Sequence, residues 1–202
     1  MRDDIDRRRF AIGAVAAAAL TALDLTPSRA EATDLAARRI ESYYASLLPV
    51  VKAARGLGIA ERARRISSSI LGTLDIGAMT RLAVGPEWAS FSGSERSRAI
   101  EAFGRFIVAD YANQLADYSG ESYSVDPVVE VRGADRVVKT QLGSTTINYL
   151  VRGGRILDIY ANGTVSELAT RRSEFSSILV TTGGAEGLIK ELQQRTLRLL
   201  GG

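Results

Sequence analysis

Apolar side chains in the first half of the chain recur every three or four residues, which is the spacing of amphipathic helices. This spacing predicts one helix over residues 33–54, a second over residues 59–72 and a shorter, interrupted helical piece over residues 73–91. Ser92 and Glu95 then form a capping box, in which each side chain bonds an unpaired backbone N–H of the other residue. The capping box predicts the start of a further helix of about 25 residues.

After Gly120 the period of the apolar positions changes from about 3.6 to 2, the period of strands. β-branched residues alternate with polar ones, and turns containing glycine separate the runs. Strands joined by such short turns are antiparallel neighbours, so we predict a four-stranded meander with one buried face. Pro127 places the first strand at an edge or a bulge. The four runs are residues 122–133, 135–143, 144–153 and 154–163.

The chain then returns to a helical pattern. Strand four turns at Asn162-Gly163, and Ser166 is placed to cap the helix that follows. A turn at Gly183-Gly184 leads into a last amphipathic helix. The predicted fold class is therefore α+β, with helices packed on one face of a curved four-stranded antiparallel meander. We predict one domain over residues 31–202.

Residues 1–30 have the plan of a cleavable signal peptide for export to the periplasm. A charged start is followed by an uncharged run over residues 10–23 and then by small residues suited to cleavage. The run is shorter than the ~20 residues that a membrane span needs. Arg7, Arg8 and Phe10 further resemble the twin-arginine export signal, and an ordinary secretory signal is the alternative.

The composition excludes several kinds of chemistry. The 202 residues contain no His and no Cys, which excludes a Ser-His-Asp relay, a thiolate nucleophile and the usual zinc sites. No metal or other cofactor is expected. A net charge of +3, without a basic run interleaved with aromatic residues, gives no reason to expect a nucleic-acid partner.

Three functional classes fit the residues themselves: an enzyme, a protein that binds a small apolar ligand, and an interaction module whose apolar surfaces bind a partner protein. A small enzyme would use a carboxylate near the sheet as its acid or base, with Asp158 the leading candidate in an apolar pocket. Asp126, Glu130 and Asp135 are further candidates, and all four also fit turn positions or outward-facing strand positions. A binding protein would instead keep the helical layer and the meander apart and leave an apolar cavity between them. Periodicity alone does not separate an open cavity from a closed core.

Several short motifs follow one another along the chain: an Asp-led short helix, a Gly-x-x-Trp joint, a Ser cap and an F-x-x-F-x-x-x-Y helix, followed by D-x-x-x-x-G-x-S, R-x-x-F and a closing G-x-x-G-L-I-x-x-L. In this order they resemble the periplasmic lipid carriers of the Mla pathway, the MlaC or toluene-tolerance family. The resemblance covers about residues 35–198. The matching residues are Asp75, Met79, Gly85, Trp88, Ser92, Phe103, Phe106, Tyr111, Asp158, Gly163, Ser166, Arg172, Phe175, Gly184, Gly187, Leu188, Ile189 and Leu192.

The resemblance implies a monomeric carrier that shuttles phospholipid between membrane-embedded complexes of the inner and outer membranes. The sequence after Asn162 resembles more closely the branch of the family that is associated with hopanoid biosynthesis, so a hopanoid is the alternative cargo. The family commonly has a Trp before the last strand, where this chain has Gly154-Arg155-Ile156. The residues expected to contact lipid are Tyr43, Phe103, Phe106, Ile107, Tyr111, Val138, Ile147, Tyr149, Ile159, Phe175 and Leu179.

The turn at Gly163 joins strand four to the helix that carries Phe175, so both walls of the expected cavity meet there. We expect this corner to set the width of the cavity. Bulky replacements of Gly163 should then change lipid loading before they change folding. The Arg171-Arg172 pair could attract phosphate or an acidic partner, or simply form a solvated helix surface.

Overall fold

The computed structural model describes residues 34–201. The expected signal peptide, with Arg7, Arg8 and Phe10, lies outside the described residues. Six α-helices are present within this range, and a short 3-10 helix, Gly85–Ser90, follows the third. The helices are α1 (Leu35–Ala53), α2 (Ile59–Thr73), α3 (Ile76–Val84), α4 (Gly93–Gln114), α5 (Glu167–Thr182) and α6 (Ala185–Leu200).

The helix ends follow the local chemistry that the sequence predicts. Ser92 accepts a hydrogen bond from the Glu95 N–H at 3.2 Å, and the Glu95 carboxylate accepts one from the Ser92 N–H at 2.7 Å. Ser166 caps α5 by accepting from the Ala169 N–H at 2.9 Å. Helix α4 is shorter than predicted, with 22 residues, because the chain tightens into successive turns after Gln114.

The sheet has six strands rather than four, all antiparallel. Three long strands form the predicted meander, and the first predicted run is divided into two short strands that both pair with the first long one. Asp126 and Pro127 cause this division, since the proline has no N–H to donate to a ladder. The strands are β1 (Tyr123–Val125), β2 (Glu130–Arg132), β3 (Asp135–Leu142), β4 (Thr145–Arg152), β5 (Arg155–Ala161) and β6 (Val165–Ser166).

The helices and the sheet form the predicted α+β arrangement. Helix α4 packs between α2 and α6, α3 packs against α5, and α1 and α5 contact the sheet. The turn between α2 and α3 is attached to β5, where the Asp75 N–H donates to the Ile156 carbonyl at 2.8 Å. One hydrophobic core runs through all these elements. No helix within residues 34–201 is long and apolar enough to cross a membrane.

Candidate functional site

A cavity of about 450 Å³ opens between the helices and the meander. Its walls come from the middle of α1, the end of α4, the start of α5 and one face of β3, β4 and β5. The lining residues are Tyr43, Tyr44, Leu47, Leu48, Tyr111, Gln114, Leu115, Leu142, Thr145, Ile147, Tyr149, Ile159, Ala161, Val165, Glu167, Thr170 and Arg171. The two layers therefore do not interlock over their whole area.

The cavity is large enough for a hydrocarbon chain. An engineered apolar cavity of ~150 Å³ holds one benzene, or about 25 Å³ per carbon. On that scale a volume of about 450 Å³ corresponds to ~18 carbons. Leucines of α1 and aliphatic side chains of β4 and β5 supply an apolar surface for such a chain. The arrangement is that of a binding cavity for an apolar ligand.

Five of the eleven residues that we expected to contact lipid line this cavity: Tyr43, Tyr111, Ile147, Tyr149 and Ile159. The other six lie away from it, in the closed core: Phe103, Phe106, Ile107, Val138, Phe175 and Leu179. The rings of Phe103 and Phe175 meet edge to face with their centroids 5.3 Å apart. Helices α4 and α5 are therefore in contact at that level through these two buried rings.

Several cavity residues were missed by sequence reasoning. Leu47 and Leu48 belong to the predicted stripe of α1, so their apolar character was visible but their exposure to a cavity was not. Leu115 follows the end of α4, and Val165 lies in the short strand β6. Glu167 and Arg171 read as polar positions in the first turns of α5. No local signal places these two side chains in a cavity wall.

The corner at Asn162-Gly163 has the expected strand-turn-helix form. Both residues have positive φ, 51° and 74°, so the turn uses the left-handed region that favours glycine. Strand β6 then pairs back onto β5, and its first residue, Val165, reaches the cavity. The start of α5 lines the cavity with Glu167, whereas Phe175 lies deeper in the core. The wall formed at this corner is thus the first turn of α5 rather than the Phe175 ring.

A group of tyrosines closes the buried end of the cavity. The Tyr149 hydroxyl donates to the Tyr44 hydroxyl at 2.9 Å, and Tyr44 lies 2.9 Å from the Thr140 hydroxyl. Thr140 donates its own proton to the Ile147 carbonyl at 2.6 Å, so Tyr44 is the donor to Thr140. This chain of hydrogen bonds ties α1 to β3 and β4. The Tyr43 ring packs edge-on to Tyr149, with centroids 6.2 Å apart.

A second polar group joins α4 to α5 at the side of the cavity. The Tyr111 hydroxyl donates to the Glu167 carboxylate at 2.6 Å. Arg171 bonds Asp110 at 2.5 Å and Glu174 at 3.3 Å, and its guanidinium lies over the Phe106 ring. Burial raises the pKa of Glu167, and the Tyr111 hydrogen bond and the Arg171 charge offset part of that rise. Burial also raises the pKa of Tyr111 well above its usual value.

Asp158, the leading candidate for a catalytic carboxylate, does not line the cavity. Its side chain is buried and accepts hydrogen bonds from the Ser166 hydroxyl at 2.6 Å and from the Leu168 N–H at 2.9 Å. It also accepts one from the Ile159 N–H at 2.8 Å. These contacts fasten the start of α5 to β5. The carboxylate has a structural role, and its lone pairs are directed at the protein.

No curated protein gives a significant match to the chain. Among solved structures, the chain is similar to a phospholipid-binding protein from Ralstonia solanacearum, solved in complex with a phospholipid. The TM-score is 0.71 and the identity 18%, over 81% of this chain and 98% of that one. At this identity the similarity shows a shared fold.

A model of the MlaC protein family matches residues 42–194. This range includes every residue that lines the cavity, from Tyr43 to Arg171. It also includes all the motifs on which the sequence resemblance rests, from Asp75 to Leu192. The chain therefore belongs to the MlaC family.

Proposed function

We propose that the chain is a periplasmic lipid-binding carrier that takes up phospholipid and shuttles it between complexes of the inner and outer membranes. The observation that carries the proposal is the apolar cavity of about 450 Å³ between the layers of an MlaC-family fold. The phospholipid bound to the similar Ralstonia solanacearum protein supports phospholipid as the cargo. The expected signal peptide agrees with a periplasmic location.

The physical task of such a carrier is to keep hydrocarbon from water. Each buried methylene contributes ~0.8 kcal/mol, so a chain of ~18 carbons would cost about 14 kcal/mol to move into water. A wall of leucine, isoleucine and valine side chains gives the chain surroundings close to those in a bilayer. Transfer from membrane to protein then becomes nearly neutral in free energy, and no bond has to be made or broken.

We place one acyl chain of the phospholipid inside the cavity, against Ile147, Ile159 and the leucines of α1. The second chain and the headgroup would lie at the open mouth, beside the exposed residues Gln114, Thr145 and Thr170. The six expected residues in the closed core would support this wall from behind. A hopanoid, as a rigid fused-ring body, would need a wider cavity than an acyl chain.

The experiment is native mass spectrometry of protein purified from the periplasm, with extraction and identification of the bound lipid. One phospholipid per chain is the expected result, and a hopanoid at the same ratio would identify the alternative cargo. Transfer of labelled phospholipid between donor and acceptor vesicles then tests shuttling. Protein that purifies empty, and that takes up no lipid from vesicles, would refute the proposal.

A further inference from the structure

A second pocket lies away from the lipid cavity, where helix α3, the 3-10 helix Gly85–Ser90 and helix α5 meet. Its volume is about 460 Å³, and it shares no lining residue with the lipid cavity. Two of its seven lining residues are arginines, Arg81 and Arg172, and none is a carboxylate. We call it the arginine pocket.

Three residues of the family motifs come together in the arginine pocket. Gly85 and Trp88 belong to the Gly-x-x-Trp joint, and Arg172 begins the R-x-x-F motif of α5. The Arg172 guanidinium lies against the backbone of Gly85, since a Cβ at Gly85 would be 3.4 Å from the guanidinium carbon. None of the three residues lines the lipid cavity. Lipid binding by itself therefore does not account for their meeting here.

Neither arginine of the pocket has an acidic partner within residues 34–201. Arg171, next to Arg172 in the chain, binds Asp110 at 2.5 Å. In contrast, no carboxylate of the described residues lies within 4 Å of a side-chain nitrogen of Arg81 or Arg172. Both side chains are exposed. A guanidinium presents its N–H donors in a planar fork that fits a carboxylate, so the pocket is complementary to an acidic group.

The surroundings of Trp88 favour a protein segment over a membrane surface as the source of that acidic group. The Trp88 ring is half-buried, with the Phe91 ring centroid and the Arg96 guanidinium carbon each 5.6 Å from its own centroid. A ring held in this way is a pocket wall, whereas aromatic side chains that bind membranes insert into the bilayer boundary. Tryptophan and arginine are also the side chains most enriched at the energetic centres of protein interfaces.

We propose that the arginine pocket is the docking site for an acidic segment of a partner protein, whose carboxylate pairs with Arg81 and Arg172 beside the Trp88 ring. The inference rests on the proposed function, in which the carrier docks on membrane-embedded complexes, and it names the chemistry of that contact. Arg172 directly follows Arg171 of the lipid-cavity wall. The partner would therefore be held on α5, beside one wall of that cavity.

The test places a photo-cross-linking amino acid at Ala89, an exposed residue of the arginine pocket, in the full chain produced in cells of its source organism. We expect an adduct with a membrane-associated protein, and the cross-linked peptide should contain Asp or Glu. Arg81→Glu combined with Arg172→Glu should reduce the adduct about tenfold or more, because charged hydrogen bonds are lost. The matched control, Arg55→Glu with Lys190→Glu, changes the net charge equally at exposed positions outside the pocket and should leave the adduct unchanged.

A charge exchange tests whether the contact is a direct ion pair. Arg172→Glu alone should weaken the adduct, and replacing the acidic residue of the cross-linked peptide by arginine should restore it. Restoration would not occur if Arg172 only stabilised the fold. An adduct that persists after charge reversal, a cross-linked peptide without a carboxylate, or the absence of a protein adduct at Ala89 would overturn the inference.

Two further measurements separate the alternatives. Sedimentation with protein-free vesicles that contain phosphatidylglycerol tests a membrane surface as the occupant, and binding that is lost in the double arginine variant would overturn the inference. Native mass spectrometry should show the same lipid loading in the wild type and in that variant, because the pocket and the lipid cavity share no residue. An empty wild type would overturn the proposed function, whereas a loaded chain without a charge-dependent adduct would overturn only the docking site.

Discussion

Filling the cavity should abolish lipid binding without harming the fold, and Ile147→Trp is the change best placed to do so. Ile147 lies on β4, opposite Thr140 of β3 and Ala161 of β5, with its side chain in the cavity wall. Tryptophan adds about six non-hydrogen atoms to that side chain. These atoms would occupy roughly a third of the space available for ~18 carbons.

The expected loss of affinity follows from the hydrocarbon that is displaced. About six methylenes returned to water at ~0.8 kcal/mol each amount to ~5 kcal/mol. Since 1.4 kcal/mol is a factor of ten, the dissociation constant should rise by more than about a thousandfold. Native mass spectrometry of the purified variant should show an empty chain where the wild type shows a lipid-bound one.

Measurements of thermal stability distinguish filling of the cavity from damage to the core. An indole placed in open space meets no side chain that must move, so the melting temperature of Ile147→Trp should stay near that of the lipid-free wild type. Phe175→Trp, in the closed core against Phe103, should be destabilised by about 1–3 kcal/mol through overpacking. Val131→Trp, at an exposed position of β2, controls for the new tryptophan. An Ile147→Trp variant that is folded and still carries lipid at the wild-type ratio would refute the placement of the ligand.

Three further changes test the corner and its carboxylates. Gly163→Ala should lower the free energy of unfolding by more than ~1–2 kcal/mol, which is the usual cost of a left-handed conformation for a residue with a side chain. The additional loss is expected because the new Cβ would lie 3.2 Å from Thr146 Cγ2, and urea unfolding measures the difference. Asp158→Ala should cost about 1–3 kcal/mol in the same assay by leaving the Leu168 N–H unpaired, with lipid loading per folded chain retained. Glu167→Gln should gain stability relative to wild type as the pH rises above ~4, since burial raises the pKa of Glu167 above the unfolded value of ~4.3.

The sign of the Glu167 effect follows from proton binding. The folded protein retains the Glu167 proton at pH values where the unfolded chain has lost it, so wild-type stability falls as the pH rises through that interval. Glutamine has no proton to lose, and unfolding of both proteins in urea across the interval gives the difference. A pH-independent difference would contradict the raised pKa.

The matched control for Gly163→Ala is Gly154→Ala, because Gly154 has a similar φ of 77° and no atom within 4 Å of the new Cβ.

Lipid loading of the glycine variants tests the expectation that the corner sets the cavity width. Gly163→Val should lose bound lipid, measured by native mass spectrometry, at a urea concentration where it is still folded. Gly154→Val, in the turn before β5, should load like the wild type. Loss of loading only in parallel with loss of the fold would assign Gly163 to structure alone.

The sequence by itself determined the order and class of the elements, because these depend on local chemistry. The Ser92–Glu95 capping box and the Ser166 cap act within one turn of helix, and the change of period after Gly120 reflects side-chain direction along the backbone. The family resemblance was also readable, since its motifs are short. Even so, Pro127 divided a predicted strand into two, which shows how one residue decides pairing at an edge.

Only the tertiary structure decided which apolar side chains face the ligand. Phe103 and Tyr111 are eight residues apart on the same stripe of α4, and hence about 12 Å apart along the helix axis. Phe103 meets Phe175 of α5, whereas Tyr111 lies near the end of α4 beside Glu167, where the layers separate. Periodicity predicts which face of a helix is apolar, but it does not predict where along the helix the contact with a neighbouring element ends. The contact between Tyr111 and Glu167 joins residues 56 positions apart, so no local pattern could have placed them together.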